Sequence, residues 1–261
     1  LVHQKWFFKE LSQDDETGAA TMLFKHAGGL CYPAAGYHPI HEEAFLVEGE
    51  IRAFEDSPDV PNVYKRRYYF YRPPGWVHDS EIAATKDTLI LRMTDGHDSR
   101  VPTDWALIGR NELLLGKESV EPRGYIRCLN TEDLPWVGAY EFIATHDWNF
   151  DLTYVPKDRL WYRLLSKDPL TGASTVIIRM EKGFLIPTAG YYTVPQETLV
   201  LDGEVAIGGR QLTKGSYAYR PTGIVEGPAE ANRDSLVFCR FGGTVQRVDA
   251  TLQDVDKQML R

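Results

Sequence analysis

The chain has 261 residues, of which 43% are hydrophobic and 25% are charged, a composition typical of a soluble globular protein with one large or two small domains. The formal net charge is −8 and the short run Lys65-Arg66-Arg67 is its most basic segment, so neither nucleic acid nor an anionic membrane is an expected partner. No apolar run approaches the roughly 18 residues that span a bilayer.

Short β-branched and aromatic runs, bounded by Gly, Pro or Asp, predict strands in both halves of the chain. The first half contains runs at 21–25, 44–47, 68–71 and 89–93, and the second half at 175–179, 198–201, 216–219 and 235–241. Strands at about ten-residue spacing indicate antiparallel barrels or sandwiches. Glu48-Gly49 and Asp202-Gly203 are typical hairpin signals. Residues 250–260 have helical spacing after a candidate cap at Asp249.

The second half of the chain repeats the first. At an offset of 154 positions, residues 7–12, 17–21 and 43–50 match 161–166, 171–175 and 197–204. The offset then falls to 148, because the first copy has a longer loop at 55–63, and residues 69–75 match 217–223. We therefore predict a tandem duplication with domains at 1–97 and 146–261 and a connecting segment at 98–145.

Three cysteines, Cys31, Cys128 and Cys239, are far apart and lack Cys-x-x-Cys spacing. This pattern predicts neither a disulfide framework nor a zinc-thiolate site. With no signal peptide apparent at Leu1, the expected location is the reducing cytoplasm.

Two short segments of the first copy concentrate imidazoles and carboxylates. Residues 36–43 read Gly-Tyr-His-Pro-Ile-His-Glu-Glu, and residues 73–78 read Pro-Pro-Gly-Trp-Val-His. Each segment adjoins strand-like sequence. Three or four nitrogen and oxygen ligands from two strands form a site for a divalent transition metal.

These segments resemble the two motifs of the cupin superfamily. Its first motif is a Gly, a His pair, a Glu and a later Gly, and its second is Pro-x-Gly followed by His. The matching residues here are Gly36, His38, His41, Glu42 or Glu43, Gly49, Pro73, Gly75 and His78. The segments are most similar to the branch typified by the cupin domain of the ChrR anti-sigma factor. The resemblance implies an all-β fold of two tandem cupin barrels (double-stranded β-helix or jelly roll) with a short C-terminal helix.

The resemblance implies a metal site formed by His38, His41, Glu43 and His78. The family's usual pair is His-x-His, whereas His-Pro-Ile-His would point to opposite faces of a regular strand. Either a bulge at Pro39 restores convergence, or His41 is a bystander.

Two adjacent glutamates compete for the ligand position. Glu43 is favoured because Glu197 repeats it, while Glu42 matches Gln196. A carboxylate present in both copies is either the motif ligand or a structural group of both domains. If Glu42 is not a ligand, it is a candidate general base. Arg72, which matches Arg220, is expected to make a structural pairing in both copies.

In the second copy Tyr192, Pro195 and Glu226 replace His38, His41 and His78. We therefore expect this domain to bind no transition metal and to act as a structural partner or a wall of a substrate pocket.

The expected function is a metal-dependent bicupin, an oxygenase that acts on a small organic substrate. Fe(II) is the favoured metal, with Zn(II), Mn(II) and Ni(II) as alternatives. A Lewis-acid isomerase or hydrolase and a non-catalytic ChrR-like sensor of metal or ligand are the other hypotheses. Exposed edge strands are compatible with a homodimer.

Overall fold

The computed structural model describes residues 6–29, 32–80, 82–83, 86–115, 123–153 and 155–251. The chain divides into two compact units, Leu1–Asp133 and Leu134–Arg261. The helix predicted at the C-terminus lies, from residue 252 onward, outside the described residues. Within the described ranges, no helix is both long and apolar enough to cross a membrane.

The first unit contains twelve strands and one short α-helix among its described residues. They are β1 (Trp6–Gln13), β2 (Ala20–His26), β3 (Tyr32–Tyr37), β4 (Glu42–Glu48), β5 (Glu50–Ala53), β6 (Asn62–Lys65), β7 (Tyr68–Arg72), β8 (His78–Ser80), β9 (Ile82–Ala83), β10 (Thr88–Thr94), β11 (Val101–Pro102), α1 (Asn111–Leu115) and β12 (Ile126–Asn130). The large sheet has the order β1-β2-β10-β4-β7-β12, and two three-stranded sheets have the orders β11-β3-β8 and β6-β5-β9. Every pairing is antiparallel.

The second unit has the same plan. Its elements are β13 (Val137–Gly138), α2 (Ala139–Thr145), β14 (Leu160–Lys167), β15 (Ser174–Met180), β16 (Phe184–Ile186), β17 (Gly190–Tyr192), β18 (Gln196–Asp202), β19 (Glu204–Ile207), β20 (Arg210–Thr213), β21 (Tyr217–Arg220), β22 (Ala229–Ala231), β23 (Ser235–Phe241) and β24 (Arg247–Asp249). The large sheet has the order β13-β14-β15-β23-β18-β21, beside sheets β16-β22-β19-β20 and β17-β24.

The core of the first unit lies between its sheets. Ala44, Leu46, Phe70 and Ile90 come from the large sheet and form one buried cluster with residues of β5 and β6. Since side chains alternate along a strand, the inward-facing residues of β4 are the even-numbered ones.

The all-β, two-barrel fold predicted from the sequence is confirmed, and each of the eight predicted strands lies in a strand of the two large sheets. The hairpins predicted at Glu48-Gly49 and Asp202-Gly203 are wrong. At Gly49 the chain leaves β4 for β5, which belongs to another sheet. Gly49 has φ of +88°, and an added Cβ would lie 2.8 Å from the Thr88 Cα, so this sheet-changing turn requires glycine.

The register of strand pairing repeats between the units. Glu42 pairs with Arg72 as Gln196 pairs with Arg220. Gly36 pairs with His78, and Gly190 with Glu226. Equivalent residues of the two barrels can therefore be identified from backbone pairing, independently of sequence similarity.

The segment 98–145, interpreted from the sequence as a connector, contributes to both sheets. Strand β12 extends the first large sheet beside β7, and β13 extends the second beside β14. The boundary between the units falls after Asp133. The added strands lie at opposite ends of two otherwise equivalent five-stranded sheets.

Candidate metal centre

Three side chains of the first barrel converge on one point. His38 follows β3, Glu42 begins β4 and His78 begins β8. One ligand atom from each lies within 4.8 Å of the others, and the two imidazole rings stack with centroids 5.4 Å apart. The pairing of β3 with β8 brings the two histidines together although forty residues separate them in sequence.

The hydrogen bonds of both rings direct a lone pair toward this point. The Nδ1 atom of His78 lies 2.6 Å from the Asp79 carbonyl oxygen, and that of His38 lies 3.1 Å from the Ser99 carbonyl oxygen. A carbonyl only accepts, so Nδ1 carries the proton and Nε2 is the free donor atom. The buried Nε2 of His78 has no hydrogen-bond partner within the described part of the chain and lies 3.7 Å from Glu42 Oε2.

The imidazole of His78 is held neutral, which is the metal-binding form. Burial, followed by the positive charge of Arg72, lowers the pKa of His78 well below its ordinary value. A neutral ring that faces a buried carboxylate without a bond to it is suited to a cation placed between them.

Glu42 is held ionised by two arginines. Arg72 Nη1 donates to Oε2 at 2.9 Å and Arg92 Nε donates to Oε1 at 2.5 Å. Burial alone would raise the pKa of the Glu42 carboxyl, but the attraction of Arg92 and Arg72 outweighs it and holds that pKa well below its ordinary range. A carboxylate with so low a pKa is a poor general base at neutral pH, which argues against the alternative role considered for Glu42.

Glu42 belongs to a larger ionic network. Arg72 also pairs with the buried Glu55, and Arg92 also pairs with Asp98. The guanidinium group of Arg100 lines the same cavity and donates to the His78 carbonyl at 3.1 Å.

A cavity of about 400 Å³ opens beside the three side chains. Its apolar lining comes from the large sheet, and its polar lining surrounds the cluster. The lining residues are Phe8, Met22, Phe24, His26, His38, Glu42, Ala44, Phe70, His78, Ile90, Arg92, Asp98 and Arg100. This volume is typical of a small-molecule pocket.

Glu43, which the sequence favoured as the ligand, faces away from this cluster. Adjacent residues of a strand point to opposite faces, and Glu43 accepts from the Tyr69 hydroxyl at 2.9 Å and pairs with Arg123 at 2.9 Å. Its counterpart Glu197 accepts from the Tyr217 hydroxyl at 2.6 Å. The geometry supports the structural explanation for the repeated carboxylate and favours Glu42 as the ligand.

His41 also lies outside the cluster. Its Nδ1 atom is 2.6 Å from the Tyr71 hydroxyl, and its backbone N–H donates to Asp95 at 2.9 Å. It shares the face of Glu43, as the three-residue spacing from His38 predicts for extended chain. The structure therefore brings together His38 and His78 of the expected ligands, with Glu42 in place of Glu43 and without His41.

The sequence interpretation missed Arg92 and Asp98. Both line the cavity and contact the cluster. The repeat gave no signal for Arg92, because its offset of 148 aligns Arg92 with Arg240. Strand register instead places Arg92 opposite Ala44 as Cys239 lies opposite Thr198. A charged residue of a central strand in one copy thus corresponds to a cysteine in the other.

The equivalent place in the second barrel has different chemistry. Tyr192, Gln196 and Glu226 occupy the positions of His38, Glu42 and His78 and line a cavity of about 60 Å³. Glu226 is paired with Arg220. Burial raises the pKa of Glu226, with Arg220 acting in the opposite direction. This arrangement lacks the imidazole donors that a transition metal prefers.

The first barrel fits a divalent transition metal. Two imidazoles and one carboxylate are the donors of the facial triad that holds non-haem iron and leaves coordination positions open. The unsatisfied Nε2 of His78, which lies 3.7 Å from the buried carboxylate of Glu42, is the observation of this structure that supports the fit.

Comparisons with known proteins agree with this fold. A family model described as a domain of unknown function (DUF4437) matches residues 154–255. Among curated proteins, none is significantly similar in sequence.

Solved structures similar to this chain cover nearly all of it. A candidate dioxygenase from Nostoc punctiforme is 16% identical with a TM-score of 0.72, over 95% of this chain and 87% of that one. A variant of oxalate decarboxylase from Bacillus subtilis is 12% identical with a TM-score of 0.54, over 99% and 82%. Protein YlbA from E. coli is 12% identical with a TM-score of 0.57, over 92% and 85%. These are cupin-fold proteins, and the chain shares their fold in two tandem copies.

Proposed function

We propose that the first barrel binds one divalent transition metal through His38, Glu42 and His78, and that the protein is an enzyme whose catalysis depends on this metal. The observation that carries this proposal is the cluster of two imidazoles and one ionised carboxylate at the wall of a 400 Å³ cavity. A sensor of metal alone would need the donor cluster but not a pocket of this size, whereas a sensor of a small ligand would need both.

We further propose that the reaction is an oxygenation and that the metal is Fe(II). Fe(II) held in such a triad would activate O₂ toward an organic substrate, and the substrate would supply the electrons that reduce O₂. The similarity to a candidate dioxygenase supports this choice at the level of fold. A Lewis-acid reaction with Zn(II) or Mn(II) is the second candidate, supported by the same donor set.

The cavity favours a substrate with an apolar body. Phe24, Phe70 and Ile90 line it on one side, and the polar groups gather around the cluster. The side chains of this chain would exclude water from the apolar part and direct a polar end of the substrate to the metal. The small, fully polar dianion oxalate would leave most of this lining without contact.

We propose that the second barrel binds no transition metal and that its role is structural. Its equivalent cavity is about 60 Å³, and Glu226 is already neutralised by Arg220. One metal ion per chain is therefore expected.

The test is metal content by elemental mass spectrometry, followed by oxygen uptake. We expect one iron per chain after anaerobic loading of the wild type, and none in the His38→Ala/His78→Ala double variant. The matched control is Tyr192→Ala/Glu226→Ala in the second barrel, which should retain the metal. Oxygen uptake is then measured with a panel of aryl β-diketones, catechols and thiols.

Two results would contradict the proposal at different levels. If the wild-type protein takes up no Fe(II), Mn(II) or Zn(II), the proposal of a metal-dependent enzyme is wrong. Stoichiometric iron without oxygen uptake on any substrate of the panel would remove the oxygenase and leave the Lewis-acid reaction.

A further inference from the structure

We infer that Asp98 is a positioning residue of the metal centre. Asp98 fixes the orientation of the His38 ring, and Arg92 holds the Asp98 carboxylate in place. This inference rests on the proposed metal binding by the first barrel. It assigns a role to two residues that neither the cupin motifs nor the donor cluster includes.

Asp98 lies between one proposed ligand and an arginine. Its Oδ1 atom is 2.8 Å from His38 Nδ1. Arg92 donates from Nη1 to Oδ2 at 2.5 Å and from Nη2 to Oδ1 at 3.2 Å. The same guanidinium donates from Nε to Glu42 at 2.5 Å. A continuous chain from His38 through Asp98 and Arg92 to Glu42 therefore connects two of the three proposed ligands.

This geometry has a specific effect on His38. A carboxylate that accepts from Nδ1–H fixes the ring rotation and the tautomer, and it makes Nε2 a stronger donor to a metal. Asp98 lies in the loop that follows β10, and its side chain is 31% exposed. The paired N–H groups of Arg92 prevent this carboxylate from turning toward solvent, which a single-point contact would not.

The second barrel provides independent support. The pairing of Tyr37 with Val101 repeats as Tyr191 with Val248, so Val245 stands at the position of Asp98. Cys239 stands at the position of Arg92. The pair is therefore replaced in the copy that also has Tyr192 in place of His38.

Other arginines of the site do not show this change. Arg100 donates to the Ala34 carbonyl at 2.8 Å, and its counterpart Arg247 donates to the Thr188 carbonyl at 2.7 Å. This contact holds the backbone in both barrels. Arg92 and Asp98 differ together with the proposed ligands, whereas an arginine with a backbone role is retained.

The inference is tested by Co(II) affinity and by the visible absorption of bound Co(II), which reports the coordination geometry. We expect Asp98→Asn and Asp98→Val to bind Co(II) about 10- to 100-fold more weakly, the range for groups that orient metal ligands, with an altered spectrum. The loss should be partial because the Ser99 carbonyl still accepts from His38 at 3.1 Å. Arg92→Lys keeps the positive charge but removes the paired N–H groups of the guanidinium, and it should give a smaller loss of Co(II) affinity.

The matched control is Asp95→Asn. Asp95 lies in the same loop but contacts His41, at 2.9 Å from its backbone nitrogen. We expect the Co(II) affinity of this variant to stay within about twofold of wild type. Asp95 forms none of the hydrogen bonds that link His38, Asp98, Arg92 and Glu42. Equal losses in Asp95→Asn and Asp98→Asn would overturn the inference, because affinity would then follow the charge of the loop.

A second measurement separates this inference from the metal proposal. Nitrogen-15 NMR of the imidazoles in metal-free protein reports the His38 tautomer and its Nδ1–H proton. We expect that proton resonance to shift in Asp98→Val and to be unchanged in Asp95→Asn. An unshifted resonance in Asp98→Val would overturn the role of Asp98, whereas failure of the wild type to take up any metal would overturn the proposed function.

Discussion

In the first barrel two arginines pair with the buried carboxylate of Glu42, whereas in the second barrel the equivalent side chain is the amide of Gln196. There Gln196 is neutral and Arg220 pairs with Glu226. Both barrels share the same sheet order and strand register. The difference shows that one charge, with two imidazoles, separates a cation site from a self-neutralised one on the same backbone.

The largest expected difference between the barrels is the loss of stability when the arginine at the equivalent positions 72 and 220 is replaced. Arg72→Met leaves the buried carboxylate of Glu55 without its arginine and Glu42 with Arg92 alone, and we expect a loss of about 3–5 kcal/mol. Arg220→Met, whose partner Glu226 is 20% exposed, should cost about 1–3 kcal/mol. Native-state hydrogen exchange with mass spectrometry reports each barrel separately. Equal losses would show that the burial of the two networks does not differ in energy.

Glu43 and Glu197 should behave alike, because both serve the architecture. Glu43→Gln and Glu197→Gln each remove a charge paired with arginine and leave one amide oxygen that can still accept from the tyrosine hydroxyl. We expect each to lose about 1–3 kcal/mol in its own barrel, and neither to change metal content by elemental analysis. Loss of metal in Glu43→Gln, with the stability unchanged, would restore Glu43 as the ligand.

The two barrels should respond oppositely to mild acid. The pKa of His78 is lowered by burial and by Arg72, so below about pH 6.5 the unfolded chain binds more protons and the first barrel loses stability, by at most about 1.4 kcal/mol per pH unit. The pKa of Glu226 is raised by burial, so the second barrel gains stability as the pH falls toward the ordinary pKa of a glutamate.

Protection factors of metal-free protein between pH 5 and 7, corrected for intrinsic exchange, measure this difference. Glu42, whose pKa is held well below its ordinary range, stays ionised throughout. His78→Gln should flatten the profile of the first barrel and Glu226→Gln that of the second. Parallel profiles in the wild type would contradict the opposite environments of the two positions.

The strands could be predicted from the sequence because alternation and turn residues are local signals. The choice between Glu42 and Glu43 could not be predicted, because it depends on whether the even-numbered or the odd-numbered residues of β4 face the inside of the barrel. The repeat left the choice open, and it is the bonds from Tyr69 to Glu43 and from Tyr217 to Glu197 that identify the repeated carboxylate as structural. Arg92 and Asp98 were missed because their contacts with Glu42 and His38 span 50 and 60 positions of sequence. Only the strand register brings them together.

The turn between β5 and β6 has a consequence for the proposed metal centre. Eight residues separate these strands, against two between the equivalent β19 and β20, and the longer turn carries Glu55 to the buried end of Arg72. In the second barrel, where the turn is Gly208-Gly209, the same arginine pairs with Glu226. A turn longer by six residues therefore supplies the arginine of the first barrel with a carboxylate from outside the metal centre, which leaves the position of Glu226 open to the imidazole of His78.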